Sequence, residues 1–198
     1  MAKIIAVIGA TGKQGGSVVS ALHGNPDWHV RAITRNPSSP KAKDLEATGI
    51  EVVQADLDDT QSLVKAFEGA SHIFAVTDFW EPYQKAGPLV AMRSEFTHGQ
   101  NAATAAARTP TLQHFIWSTL PDALRLSEGR FHVPHFQAKS QVDTFIRGNQ
   151  HLRDKTTFLL VGYYADNFRY PVFAVNKIVR ITSLSGFVCL HCRPLIPE

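Results

Sequence analysis

A chain of 198 residues, 44% apolar and 19% charged, has the length of one domain and the composition of an ordinary soluble globular protein. Its formal net charge is only +3, and the Lys and Arg residues are dispersed, which argues against a direct nucleic-acid-binding surface even at a sequence pI near 9.0. No run is long and apolar enough to span a bilayer, so no membrane segment is expected.

Lys3 to Ile8 is a continuous apolar run of the kind buried on both faces of a parallel sheet, and it is too short for a signal peptide. A glycine-rich turn follows. Gly16 to His23 reads as a helix with Val18, Val19 and Leu22 inward, ended by Gly24-Asn25-Pro26. Trp28 to Thr34 is the second strand, and Arg35 to Pro40 is a loop with two prolines. A short helix, Lys41 to Thr48, stops at Gly49, and Ile50 to Gln54 is the third strand. The helix Thr60 to Phe67 has a capping oxygen in Asp59 or Thr60. His72 to Val76 is the fourth strand, Tyr83 to Pro88 is irregular, and Leu89 to Arg108 is a long helix with an alanine-rich end. His114 to Ser118, Pro134 to Arg147 and Thr157 to Val161 add a strand, a helix and a sixth strand. This alternation predicts an α/β fold, a Rossmann-type doubly wound parallel sheet of order 3-2-1-4-5-6, with ligand at the carboxyl ends of the strands.

The turn Gly9-Ala10-Thr11-Gly12-Lys13-Gln14-Gly15 has G-x-x-G-x-x-G spacing directly after a buried strand and opens a helix. Gly9 suits a tight turn, Gly12 lets backbone approach a pyrophosphate, and Gly15 allows helix and strand to pack closely. Backbone N–H groups of the turn, with Thr11, Lys13 and Gln14, would then face phosphates at the positive end of the helix dipole. A purely structural turn in a flavodoxin-like domain is the alternative. The second strand ends in Thr34 and Arg35, with Asn36 next and no acid nearby. A guanidinium there matches a 2′-phosphate, so NADP(H) is expected over NAD(H), with Lys41 and Lys43 adding positive field. Asp56, with Leu57 beside it, is placed to accept from the adenine amino group, whereas Asp58 and Asp59 read as capping or solvent-facing. Thr77 lies where the nicotinamide-side ribose would pass, or is simply a polar strand end.

Gly9 to Val18, Thr34-Arg35-Asn36-Pro37, Val53-Gln54-Ala55-Asp56, Phe115-Ile116-Trp117-Ser118, Val133-Pro134-His135-Phe136 with Lys139, and Tyr164-Ala165-Asp166-Asn167-Phe168 form one set of segments. Together they resemble the NmrA-like family, an atypical branch of the short-chain dehydrogenase/reductases. The resemblance implies NADP(H) binding, with Gly12, Arg35, Asp56, Thr77, Lys139 and the segment carrying Tyr164 and Asn167 lining the cleft. It also implies one of two activities. Some members look like oxidoreductases acting on small carbonyl or enone metabolites, including tailoring steps of secondary metabolism. Others look like redox sensors that bind a protein partner such as a transcription factor.

Two departures from the pattern bear on activity. Typical short-chain dehydrogenases use Tyr-x-x-x-Lys, but the position four before Lys139 holds His135. Lys139, His135 and Ser118 are therefore the candidate catalytic set. His135 can act as an acid or base, or simply pack at a helix start. The family also continues for about a hundred further residues by resemblance, so residues 1–174 are expected to form the family domain and 175–198 a divergent tail, with the C-terminal lobe largely missing. An inactive truncated remnant is a third reading, and loss of the lobe would expose apolar surface on the last strands.

Smaller signals carry less. Cys189-Leu190-His191-Cys192 has C-x-x-C spacing but sits among prolines, and two cysteines make no disulfide framework, so a reducing cytoplasm or nucleus is expected. Phe79-Trp80-Glu81-Pro82-Tyr83 is an aromatic segment that packs or lies over the nicotinamide. His132 and His135 lack acidic companions, so no metal is expected.

Overall fold

The structure, a computed structural model, describes residues 2–169. The tail 175–198, with Cys189 and Cys192, lies outside the described residues. The chain divides into two compact units, Met1–Gly162 and Tyr163–Glu198.

The first unit is a six-stranded sheet of order β3-β2-β1-β4-β5-β6, as expected from the sequence. The strands are β1 (Lys3–Ile8), β2 (Trp28–Thr34), β3 (Glu51–Gln54), β4 (His72–Ala75), β5 (His114–Thr119) and β6 (Thr156–Leu160), and every pairing is parallel. The helices are α1 (Lys13–Leu22), α2 (Pro40–Ala47), α3 (Thr60–Ala66), α4 (Trp80–Ala107), α5 (Ala123–Leu126) and α6 (Pro134–Gly148).

Strand side chains alternate between faces, and both faces are covered. From β1, Ala6 and Ile8 join Phe67, Ile73, Phe115, Trp117, Val142 and Ile146 in one core. The intervening Ile5 and Val7 join Val19, Val30, Ala32 and Phe74 in the other. This two-sided burial is why β1 reads as an unbroken apolar run. On the outer strand β6, Leu159 and Leu160 are exposed.

The structure departs from the sequence reading at 80–86, which is helical rather than irregular. Asp78 accepts the Trp80 N–H at 2.8 Å, Pro82 falls in the first turn where no N–H is required, and Glu81 pairs with Lys85 one turn on. The break comes at Gly87, with φ 80° and ψ 179°, a conformation a side chain would resist, and Pro88 then opens the second helical stretch. The sequence reading also began α1 three residues late, at Gly16, and missed the short helix α5, which Asp122 caps.

Candidate functional site

The glycine turn leaves β1 at Ile8. Gly9 has φ +71°, and a Cβ there would lie 2.8 Å from Val76 Cγ1. A Cβ on Gly15 would collide with the Gly9 carbonyl, so α1 rests directly on the turn that precedes it. The Gly12 N–H donates to Gly9 O at 2.8 Å and closes the turn. Side chains of Ser39, Asp59 and Asp122 cap α2, α3 and α5, whereas α1, like α4 and α6, has no capping side chain among the described residues, and its first turn holds no acid. Its positive end is thus open to an anion. Lys41 Nζ reaches Thr11 O at 3.4 Å, so this lysine does lie at the turn, while Lys43 is placed only on α2. Gln14 Oε1 accepts from Ser118 Oγ at 2.6 Å, which ties the turn to the end of β5.

The loop after β2 is fixed by its own hydrogen bonds. The Asn36 N–H donates to Thr34 Oγ1, the Ser38 N–H donates to Asn36 Oδ1, and Gln54 Nε2 donates to Arg35 O. The Arg35 side chain instead reaches Glu81 on α4, with Nη2 2.8 Å from Oε2, and Lys85 Nζ donates to the other carboxylate oxygen at 2.8 Å. The bond to Glu81 raises the Arg35 pKa, although burial opposes it. Lys85 and then Arg35 hold the Glu81 carboxyl down at about 2. Asp56 accepts the Asp58 N–H and so shapes the turn into α3, where Asp59 provides the cap. Leu57 O accepts from Asn101, and Asp58 is exposed, as expected, with His98 Nε2 3.0 Å from its Oδ1.

At the ends of β4 and β5 the structure assembles a buried charged group. Thr77 Oγ1 donates to Glu95 Oε1 at 2.7 Å and accepts from Lys139 Nζ at 2.9 Å. Lys139 Nζ is 3.0 Å from the same Glu95 oxygen and 5.1 Å from the Trp117 ring centroid. Glu95 is fully buried, and its Oε2 has no hydrogen-bond partner among the described residues. Sequence reasoning missed Glu95. The available signal was one acid on the small-residue face of α4, in line with Ala91, Gly99, Ala102 and Ala106.

His135, in the first turn of α6, packs among Phe79, Trp80 and Phe136, with ring centroids 5.5, 5.2 and 4.8 Å away. Burial is the largest influence on its pKa and, with Lys139, outweighs Glu95 to lower it, which favours the neutral ring. The aromatic segment therefore packs on His135, with Trp80 and Tyr83 still exposed. The turn, Ser118, Thr77 and Lys139 are thus joined by direct contacts, and Arg35 joins the start of α4. Tyr164 and Asn167 belong to the second unit, where the Asn167 N–H donates to Tyr164 O at 2.9 Å. A cavity of ≈ 580 Å³ lined by Phe96, Gln141, Thr144, Phe145, Gly148 and Asn149 lies on α4 and α6 and includes none of the predicted site residues. Among the described residues, no helix is long and apolar enough to cross a membrane, and no group of three His, Cys, Asp or Glu residues is placed to hold a metal ion.

The model of the NmrA-like family matches residues 1–183. An NmrA-like family domain-containing oxidoreductase, hkm9 of Aspergillus hancockii, is 33% identical over 167 residues, covering 84% of this chain and 48% of the relative. The negative transcriptional regulator NmrA, solved with NADP, superposes with a TM-score of 0.68 at 29% identity, covering 84% of this chain and 47% of that one; it has also been solved with NAD. An NADPH-dependent quinone oxidoreductase of Escherichia coli, QOR2, solved with NADPH, gives 0.63 at 25% identity, covering 83% and 51%. The chain spans about half the length of the curated relatives it matches.

Proposed function

Because the chain belongs to the NmrA-like family, we propose that it is the NADP(H)-binding unit of an oxidoreductase acting on a small carbonyl or enone metabolite. The observation that carries this reading is the alignment of three features along the carboxyl ends of the strands. These are the uncapped α1 after the glycine turn, Arg35 after β2, and Lys139 with Thr77 beyond β4. The donor set fits the cofactor. Gly12 and the start of α1 would hold the pyrophosphate, Arg35 the 2′-phosphate, Asp56 the adenine amino group, and Lys139 the nicotinamide-side ribose. NADPH, when bound, supplies hydride. The chain's own share is to orient that end through Lys139 and to deliver a proton from His135 or Ser118. Phe79 and Trp80 pack at a tilt on the His135 ring, and the exposed Trp80 offers an aromatic surface beside it for a conjugated substrate.

A sensor reading is favoured by one observation. Both proton-donor candidates are engaged, Ser118 with Gln14 and His135 within an aromatic cluster that favours its neutral form. In that case NADP(H) occupancy would alter affinity for a protein partner without turnover.

Calorimetric titration with NADP⁺ and NAD⁺ tests the cofactor assignment. Arg35→Ala should weaken NADP⁺ by about tenfold or more and NAD⁺ by much less, because a bidentate charged contact is lost only from the former. A parallel loss for both overturns the assignment. NADPH oxidation by a panel of carbonyls and enones, slowed in His135→Phe, supports the enzyme. Tight binding with no turnover supports the sensor.

A further inference from the structure

The Arg35–Glu81 ion pair crosses the sheet in a particular place. Arg35 follows β2, and Glu81 lies in the first turn of α4, which follows β4. In the strand order these two strands flank β1, so the pair reaches over the end of β1, where the glycine turn begins. Its two anchorages differ. The backbone at Arg35 is held by Gln54, and the neighbouring loop is fixed by Thr34 and Asn36. Glu81 sits on a short helical stretch between the Asp78–Trp80 hydrogen bond and the break at Gly87. A carboxylate on a guanidinium edge occupies the donors that a phosphate would use.

We propose that Glu81 is a specificity-determining residue, a built-in competitor for Arg35 that a 2′-phosphate must displace and that holds down the chain's preference for NADP(H) over NAD(H). The inference rests on the cofactor reading above and deepens it. Displacement leaves no stranded charge, because Glu81 keeps its second partner, Lys85, at 2.8 Å. With the Glu81 carboxyl held at about 2, the competitor is ionised throughout the working pH range. Asp56 and Asp78 also act on Arg35 through their charge, but Glu81 alone of the three is in contact with it among the contacts of the described residues. Both partners are substantially exposed, so the competition is modest in size and sensitive to salt.

The test is the affinity of NADP⁺ and NAD⁺ for four proteins: the chain itself, Glu81→Gln, Arg35→Ala and the double variant. Glu81→Gln keeps the side-chain length and removes the charge. It should tighten NADP⁺ by about threefold to tenfold at low ionic strength and change NAD⁺ by less than about twofold, with the NADP⁺ gain shrinking at high salt. The gain should vanish in the Arg35→Ala background. An unchanged or weaker NADP⁺ affinity in Glu81→Gln overturns the proposal. So does equal tightening of both cofactors, which would make Glu81 a general obstruction. A gain that survives in Arg35→Ala also overturns it, because Glu81 would then act on the phosphate directly. Arg35→Ala separates the two levels: if it leaves NADP⁺ affinity intact, the cofactor assignment fails; if it weakens NADP⁺ while Glu81→Gln does not tighten it, only the competitor fails.

Discussion

Lys139 Nζ and Glu95 Oε1 lie 3.0 Å apart, with Glu95 fully buried and Lys139 nearly so. A buried ion pair contributes little relative to an apolar pair, but removing one member strands the other. Glu95→Leu should therefore destabilise the chain by about 3–5 kcal/mol, and Lys139→Met by a similar amount. The double variant Glu95→Leu with Lys139→Met should recover most of that loss. Urea unfolding of the set measures the coupling; additive losses would show that the two residues act independently.

How much of this site was legible depended on sequence distance. Gly9, Gly12 and Gly15 act on one another's backbone within one turn, so their spacing, read directly after a strand and at the start of a helix, carried the message. The parallel sheet and its order followed from strands alternating with helices along the chain. Glu95 was harder to read because its partners, Thr77 and Lys139, come from other elements, and its place on the small-residue face of α4 was the one local sign of burial. Glu81 was hidden for the same reason, 46 residues from Arg35. The helical stretch 80–86 was missed because Pro82 and Gly87-Pro88 read as breakers, whereas Pro82 sits in a first turn and Gly87 marks a kink between two helical stretches.

Gly15→Ala should be costly for a reason that Gly24→Ala does not share. The added methyl at Gly15 meets the Gly9 backbone, which cannot rotate away, so the turn itself must move. A loss of about 1–3 kcal/mol is expected, together with weakened NADP⁺ binding. Gly24 has φ +78° with nothing within 4 Å, so alanine there strains only its own backbone, by about 1–2 kcal/mol, and should leave binding intact. Thermal unfolding with cofactor titration separates the two. Equal effects on binding would remove the turn from the site.

Stability should fall in mild acid partly through His135. Burial, followed by the opposing Glu95 and the reinforcing Lys139, lowers its folded pKa, while the unfolded ring titrates near the ordinary value of about 6.5. A depressed folded pKa means that the unfolded state binds the proton more readily, so the contribution is complete above about pH 6.5 and is lost as pH falls through the folded value. His135→Phe keeps an aromatic ring against Phe79 and Trp80 but cannot titrate. Its unfolding free energy in urea should drop less between pH 7.5 and 5.5 than that of the parent chain, by under about 1 kcal/mol given solvent screening of the half-exposed ring. Some slope should remain, since burial, His114 and Lys3 lower His72 as well. Identical slopes would mean that His135 is protonated as easily folded as unfolded.

Gly99 marks where α4 meets α6. A Cβ at this position would lie 2.6 Å from Val142 Cγ2 and 3.0 Å from the Trp117 ring, both fully buried. Gly99→Ala gains helix propensity but overfills the contact, so a net loss of about 1–2 kcal/mol is expected. Val142→Ala opens a cavity in the same place and is destabilising alone. Combined, one methyl is added where two are removed across one interface, so the double variant should be more stable than the sum of the single losses implies. The same interface carries Glu95 and Lys139 on its two helices, so Gly99→Ala should also weaken NADP⁺ binding by spreading them, and Val142→Ala should restore it. Recovery of stability without recovery of binding would mean that helix spacing at Gly99 does not govern the Lys139 position.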